Sequence, residues 1–158
     1  MSLTMALYNH HGVVMCADKL INTTVNGATM HGSFTEQKLF LVENKYGLSY
    51  AGTASIDSIP VSALIEDYLS QNQMNDLNPS EWLLQMAYYF HDKLSDNQNI
   101  VFIFCGYYNN EKFVLDTNTL TPKVNSANKA HGLIRSGEVY FAAHITDSKL
   151  VAFDYMSV

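Results

Sequence analysis

A chain of 158 residues suits one domain and can bury a core of its own without help from a disulfide or a metal. Its net charge of −6 comes without a basic stripe, and its longest apolar runs, residues 100–105 and 139–143, are strand-sized. These features argue against nucleic acid and against a membrane as partners, and the first residues lack the basic-then-apolar order of a secretory signal.

Met1-Ser2-Leu3 reads as a leader ahead of Thr4 within a single domain spanning 1–158. Residues 4–8 and 13–17 are apolar-rich, and Asn9-His10-His11-Gly12 between them has the composition of a hairpin turn. Residues 20–34, rich in Thr, Asn, Gly and Ser, read as a loop with some irregular strand. Residues 38–42 and 48–51 flank a second hairpin turn over 43–47. After Gly52-Thr53 the apolar period changes: Ile56, Ile59, Ala63, Leu64 and Tyr68 predict an amphipathic helix over 56–70.

A second helix is expected over 78–95. Asn78 suits the N-cap, Pro79 the first helical position and Glu81 the reach back to the cap, and Trp82, Met86, Tyr89, Phe90 and Leu94 form one apolar stripe. Residues 100–107, 112–116 and 122–125 then read as a meander, and 139–145 with 150–155 as a final hairpin. Strands with helices segregated between them argue for an α+β fold, with two antiparallel sheets face to face and the helices outside. The runs 13–17, 39–42 and 101–105 carry so few polar residues that both faces of each are expected to be covered.

Gly12-Val13-Val14-Met15-Cys16-Ala17-Asp18-Lys19 resembles the first hairpin and second strand of proteasome β-type subunits. Lys38-Leu39-Phe40 is similar to that family's Lys-led third strand, and Ala51-Gly52-Thr53-Ala54 to the strand end that turns into its first helix. The distance from Lys38 to Gly52 matches without a gap. Phe102-Ile103-Phe104-Cys105-Gly106 and Phe113-Val114-Leu115-Asp116 are similar to the strand pair after the two helices. The chain is thereby identified as similar to the proteasome-like branch of the N-terminal-nucleophile (Ntn) hydrolases. That implies a layered αββα fold whose second helical layer is reduced or missing, because only about 30 residues follow Asn125. Asn125-Ser126-Ala127-Asn128 stands near the family's Ser-bearing loop, and no role is assigned to it.

The resemblance implies an amide or peptide hydrolase without a cofactor. Thr4 would attack with its hydroxyl while its own freed α-amine accepts the proton. Lys38 would supply a nearby ammonium that lowers the pKa of that amine, Asp18 would hold Lys38 charged and oriented, and the Gly52 N–H would donate to the oxyanion. Read singly, Asp18 is a solvated strand end, Lys38 an edge charge and Gly52 a turn glycine. Thr4 lies 14 residues before Asp18, and the family spacing is two residues longer, which puts Ser2 in register. If the missing pair comes out of the hairpin tip, Thr4 keeps its place. If it comes out of the strand, Thr4 falls short by about 6.6 Å.

The alternative function is a catalytically inactive structural or binding subunit of the same fold. The substrate expected of the active form is a peptide or small amide. Charged residues make up only 15% of the chain, which favours a homo-oligomer, with the segment after Asn125 in its interface. Cys16 and Cys105 sit in apolar runs and read as reduced structural thiols of a cytoplasmic protein. The six histidines show no metal-ligand spacing.

Overall fold

The computed structural model describes residues 3–19, 22–25, 28–31, 36–75, 77–127, 132–136, 140–146 and 149–156, with the backbone alone described for 22–25, 28–31, 135–136, 140–146 and 149–156. Strands β1 (Thr4–Asn9) and β2 (Gly12–Ala17) form a hairpin, and β12 (Gly132–Ser136) pairs with the other edge of β1. A five-stranded antiparallel sheet faces this three-stranded one. Its order is β11 (Asn125–Ser126), β10 (Glu111–Asn118), β9 (Ile100–Tyr108), β6 (Tyr46–Gly52) and β5 (Leu39–Val42). Two-stranded hairpins are formed by β3 (Asn22–Val25) with β4 (Ala28–His31), by β7 (Ser55–Ile56) with β8 (Ile59–Pro60), and by β13 (Tyr140–Thr146) with β14 (Lys149–Met156). Helices α1 (Val61–Gln71) and α2 (Pro79–His91) lie against the large sheet.

Strand alternation divides the core into two layers. Tyr46, Leu48 and Tyr50 of β6, with Phe102 and Phe104 of β9, face the helices and pack with Ile65, Trp82, Met86 and Phe90. Ile103 and Cys105 point the other way and meet Ala6 and Tyr8 of β1. Strand β9 is therefore covered on both faces, which is why residues 101–105 read as an unbroken apolar run. The other two runs depart from the expectation. Val14 on β2 and Leu41 on β5 are both 65% exposed, and each strand is the outer edge of its sheet.

The predicted capping box at α2 is present: the Glu81 N–H donates to Asn78 Oδ1 at 3.0 Å and the Asn78 N–H to Glu81 Oε2 at 3.3 Å. The helix stops at His91, short of 95, where Asp92 caps it. Helix α1 begins at Val61 and not at residue 56. Asp57 and Ser58 take φ of +48° and +68°, a tight turn between β7 and β8, and Pro60 precedes the first helical residue. Ile56 matched the helical period because it is buried, not because it is helical. In residues 20–34 the backbone forms the β3–β4 hairpin, more regular than the irregular strand expected. The expected strand over 122–125 shrinks to β11, and β12 has no counterpart among the expected elements.

Candidate active site

The β1–β2 hairpin is regular from end to end. Asn9 pairs with Gly12 across a two-residue tip, the His11 and Gly12 N–H groups donate to Asn9 Oδ1, and Thr4 pairs with Ala17. Asp18 is thus brought beside Leu3: the Asp18 N–H donates to the Leu3 carbonyl at 3.0 Å, and the Leu3 N–H donates to Asp18 Oδ1 at 3.0 Å. The same carboxylate oxygen accepts from Lys38 Nζ at 2.8 Å. The Lys38 side chain is 3% exposed and that of Asp18 29%, so the cation is the buried member and the anion reaches solvent.

Lys38 lies just ahead of β5, tied to β6 by the Tyr50 N–H donating to its carbonyl at 3.3 Å. Two residues on, Gly52 ends β6 with φ +118°, a conformation glycine alone adopts easily, and a Cβ there would collide with the Asn99 carbonyl. Gly52 itself is exposed. Gly52→Ala is expected to cost about 1–3 kcal/mol from backbone strain alone, before Asn99 moves aside, and a shift of the urea midpoint measures it.

Thr4 opens β1. It is fully buried, and its hydroxyl is hydrogen-bonded to the Ser49 hydroxyl on β6. Thr4 sits one residue inside the strand from the Leu3–Asp18 contact, facing the core with Ala6 and Tyr8. The body of β1 carries no distortion that would bring it outward. Ser2, the other residue that spacing offers, lies outside the described residues, as does Asn128.

Three residues around the ion pair went unnoticed in the sequence. Ser49 is one. The others are Tyr50 and Glu36, joined by a hydrogen bond of 2.9 Å from the phenol to Glu36 Oε1. Burial first, then that hydrogen bond and the charges of Glu36 and Asp18, push the Tyr50 pKa far above its ordinary value. Burial likewise pushes Tyr68 up to about 12, with Tyr89 adding to it, and the Cys105 thiol up to about 12, which leaves no reactive thiolate at neutral pH. Groups held protonated in the native state stabilise it below their unfolded pKa and cease to do so as pH rises past it. Stability should therefore decline above about pH 8.5 for the Cys105 proton and above about pH 10 for the tyrosine protons, by up to about 1.4 kcal/mol per pH unit for each. Tyr50→Phe should flatten that decline by one proton, as measured by urea unfolding between pH 8 and pH 11.

No family model matches the sequence, and no curated protein matches it. Solved structures do. A Gly-1 mutant of Anbu from Hyphomicrobium sp. strain MC1 superimposes with a TM-score of 0.56 at 20% identity over 87% of this chain, and Anbu from the same strain with 0.54 at 20% identity over 86%. Anbu is a bacterial proteasome-like protein of the Ntn-hydrolase type. The fold is proteasome-like. The chain spans 60% of the length of each Anbu chain. Among the described residues the layers are one pair of helices and two facing sheets, and the Asp18–Lys38 contact lies where the ends of β2 and β5 meet.

Proposed function

We propose that the chain is a proteasome-like Ntn amidohydrolase acting on peptide or other amide bonds, and that Ser2, not Thr4, is its nucleophile. One observation carries the reading. The Leu3 amide nitrogen and the Lys38 ammonium contact the same Asp18 oxygen, at 3.0 and 2.8 Å, so they lie within about 6 Å of each other. Residue 2 is bonded to that amide, and consecutive Cα atoms are about 3.8 Å apart.

With Met1 removed, Ser2 has both parts of the chemistry. Its hydroxyl attacks the amide carbonyl, and its α-amine, with an ordinary pKa of about 7.7–8.0, accepts the hydroxyl proton directly or through water. The Lys38 ammonium favours the neutral amine by like-charge repulsion, and Asp18 orients Lys38 through their 2.8 Å contact. The exposed N–H of Gly52 donates to the oxyanion, a contribution of about 10²–10³ in rate in other acyl-transfer enzymes. The acyl group passes to Ser2, the amine leaves with the proton, and water releases the acid.

The test is direct. Protein with a mass-verified free Ser2 amine is treated with an electrophile that captures a hydroxyl and an amine together, and the adduct is mapped. An adduct on Ser2 is the expected result. An adduct on Thr4 after loss of residues 1–3 restores the other assignment, and no adduct on a free Ser2 leaves the inactive-subunit reading. The same reading includes a homo-oligomer, supported by the exposed Val14, Leu39 and Leu41 on adjacent sheet edges. A monomer in sedimentation at micromolar concentration removes that part.

A further inference from the structure

Thr4 and Ser49 take no chemical step in the reaction above, yet they are each fully buried and hydrogen-bonded to each other across 45 positions of sequence. Around them the facing surfaces of the two sheets are apolar: Ala6, Tyr8, Ile103 and Cys105. Two small apolar side chains would fill the same space. A hydroxyl pair in such a layer is satisfied only when the two groups stand opposite each other, so it fixes a register that apolar contacts leave free.

Each partner lies one residue from the ion pair. Thr4 follows Leu3, whose amide is held by Asp18. Ser49 pairs with Leu39, the residue after Lys38, and precedes Tyr50, whose amide bonds the Lys38 carbonyl. We propose that Thr4 and Ser49 are a positioning pair that locks β1 against β6 and thereby holds the Leu3 amide at the Asp18 carboxylate that Lys38 also contacts. The proposal rests on the Ser2 reading. A slip of β1 by one residue turns Thr4 to the other face. A slip by two in one direction sets Ala6 opposite Ser49 and orphans its hydroxyl. In the other direction it drives Thr4 into the fully buried slot of Ala6, which has no room for it. A misplacement of about 1 Å at a reacting group is enough to cost about 10²-fold in rate, so a lock of this kind acts on the rate of attack and not on substrate affinity.

The experiment uses Thr4→Val, Thr4→Ser, Ser49→Ala and the Thr4→Val/Ser49→Ala double variant, each with a free Ser2 amine. The maximal rate and half-saturation of Ser2 labelling by the electrophile are measured, together with hydrogen exchange of the Leu3 amide. Thr4→Val and the double variant should label at least about tenfold more slowly with half-saturation little changed, and Thr4→Ser should restore the rate. The Leu3 amide should exchange about three- to tenfold faster, as expected when one ordinary hydrogen bond no longer anchors its strand. The double variant leaves no hydroxyl unpaired, so its loss reports position and not unfolding. Unchanged labelling and unchanged Leu3 exchange in the double variant overturn the proposal. If wild type does not label at all, the Ser2 reading fails, and Leu3 exchange alone decides whether the pair positions the strand end.

Discussion

Ser2→Ala protein with a free residue-2 amine is expected to lose electrophile labelling and amide hydrolysis by at least about 10³-fold, with its urea midpoint unchanged. In the proposed reaction the loss is large because the hydroxyl is the group that forms the bond, and the amine, Lys38 and Gly52 would assist but could not replace it. The midpoint holds because a chain-terminal residue contributes little core. Thr4→Ala should give the opposite pattern. It removes a fully buried side chain and leaves the Ser49 hydroxyl without its partner, at about 1–3 kcal/mol. Its midpoint falls while the hydroxyl that attacks is still present. A labelled Ser2→Ala protein, or a Thr4→Ala protein that keeps its midpoint and loses labelling outright, would reverse the assignment.

The parts of this fold legible in the sequence are those where one local signal has one structural meaning. Asn78-Pro79 with Glu81 specifies a helix start through hydrogen bonds made within four residues, and that start is present. The end of α2 has no comparable signal, and the apolar stripe continues through Leu94, which packs on the core from beyond the helix. Ile56 misled in the same way, since burial gives an apolar residue to a turn as readily as to a helix. At the site, Asp18, Lys38 and Gly52 were marked by their register in the family resemblance, since read singly they are only strand ends and a turn glycine. Ser49 and Tyr50 were not, because they are ordinary alternating residues of β6 whose partners lie 45 and 14 positions away. The choice between Thr4 and Ser2 depended on where two residues are missing, which spacing alone does not fix. The unbroken β1–β2 register and the buried Thr4–Ser49 contact are the observations on which the proposal of Ser2 rests.

Asp18→Asn should destabilise the protein more than Lys38→Met, although both remove the same ion pair. The two ends are unequally placed, with side chains 29% and 3% exposed. Asparagine keeps an oxygen for the Leu3 amide but takes the carboxylate from an ammonium that solvent barely reaches, and removing one partner of a buried pair costs about 3 kcal/mol or more. Methionine keeps the stem of Lys38 in place and leaves a carboxylate that is still held by the Leu3 amide and in contact with water, so the cost should be nearer about 1–2 kcal/mol. The double variant should recover part of the Asp18→Asn loss, since the buried ammonium goes together with the carboxylate it contacts. Urea unfolding of the three proteins measures these differences, and equal single losses would show that the ammonium is better solvated than its burial indicates. Labelling at Ser2 should fall in both single variants and stay low in the double. Stability recovers when the charges are removed together, whereas the amine of residue 2 regains no ammonium to lower its pKa. A double variant that is stable and labels at the wild-type rate would make Asp18 and Lys38 a structural ion pair and nothing more.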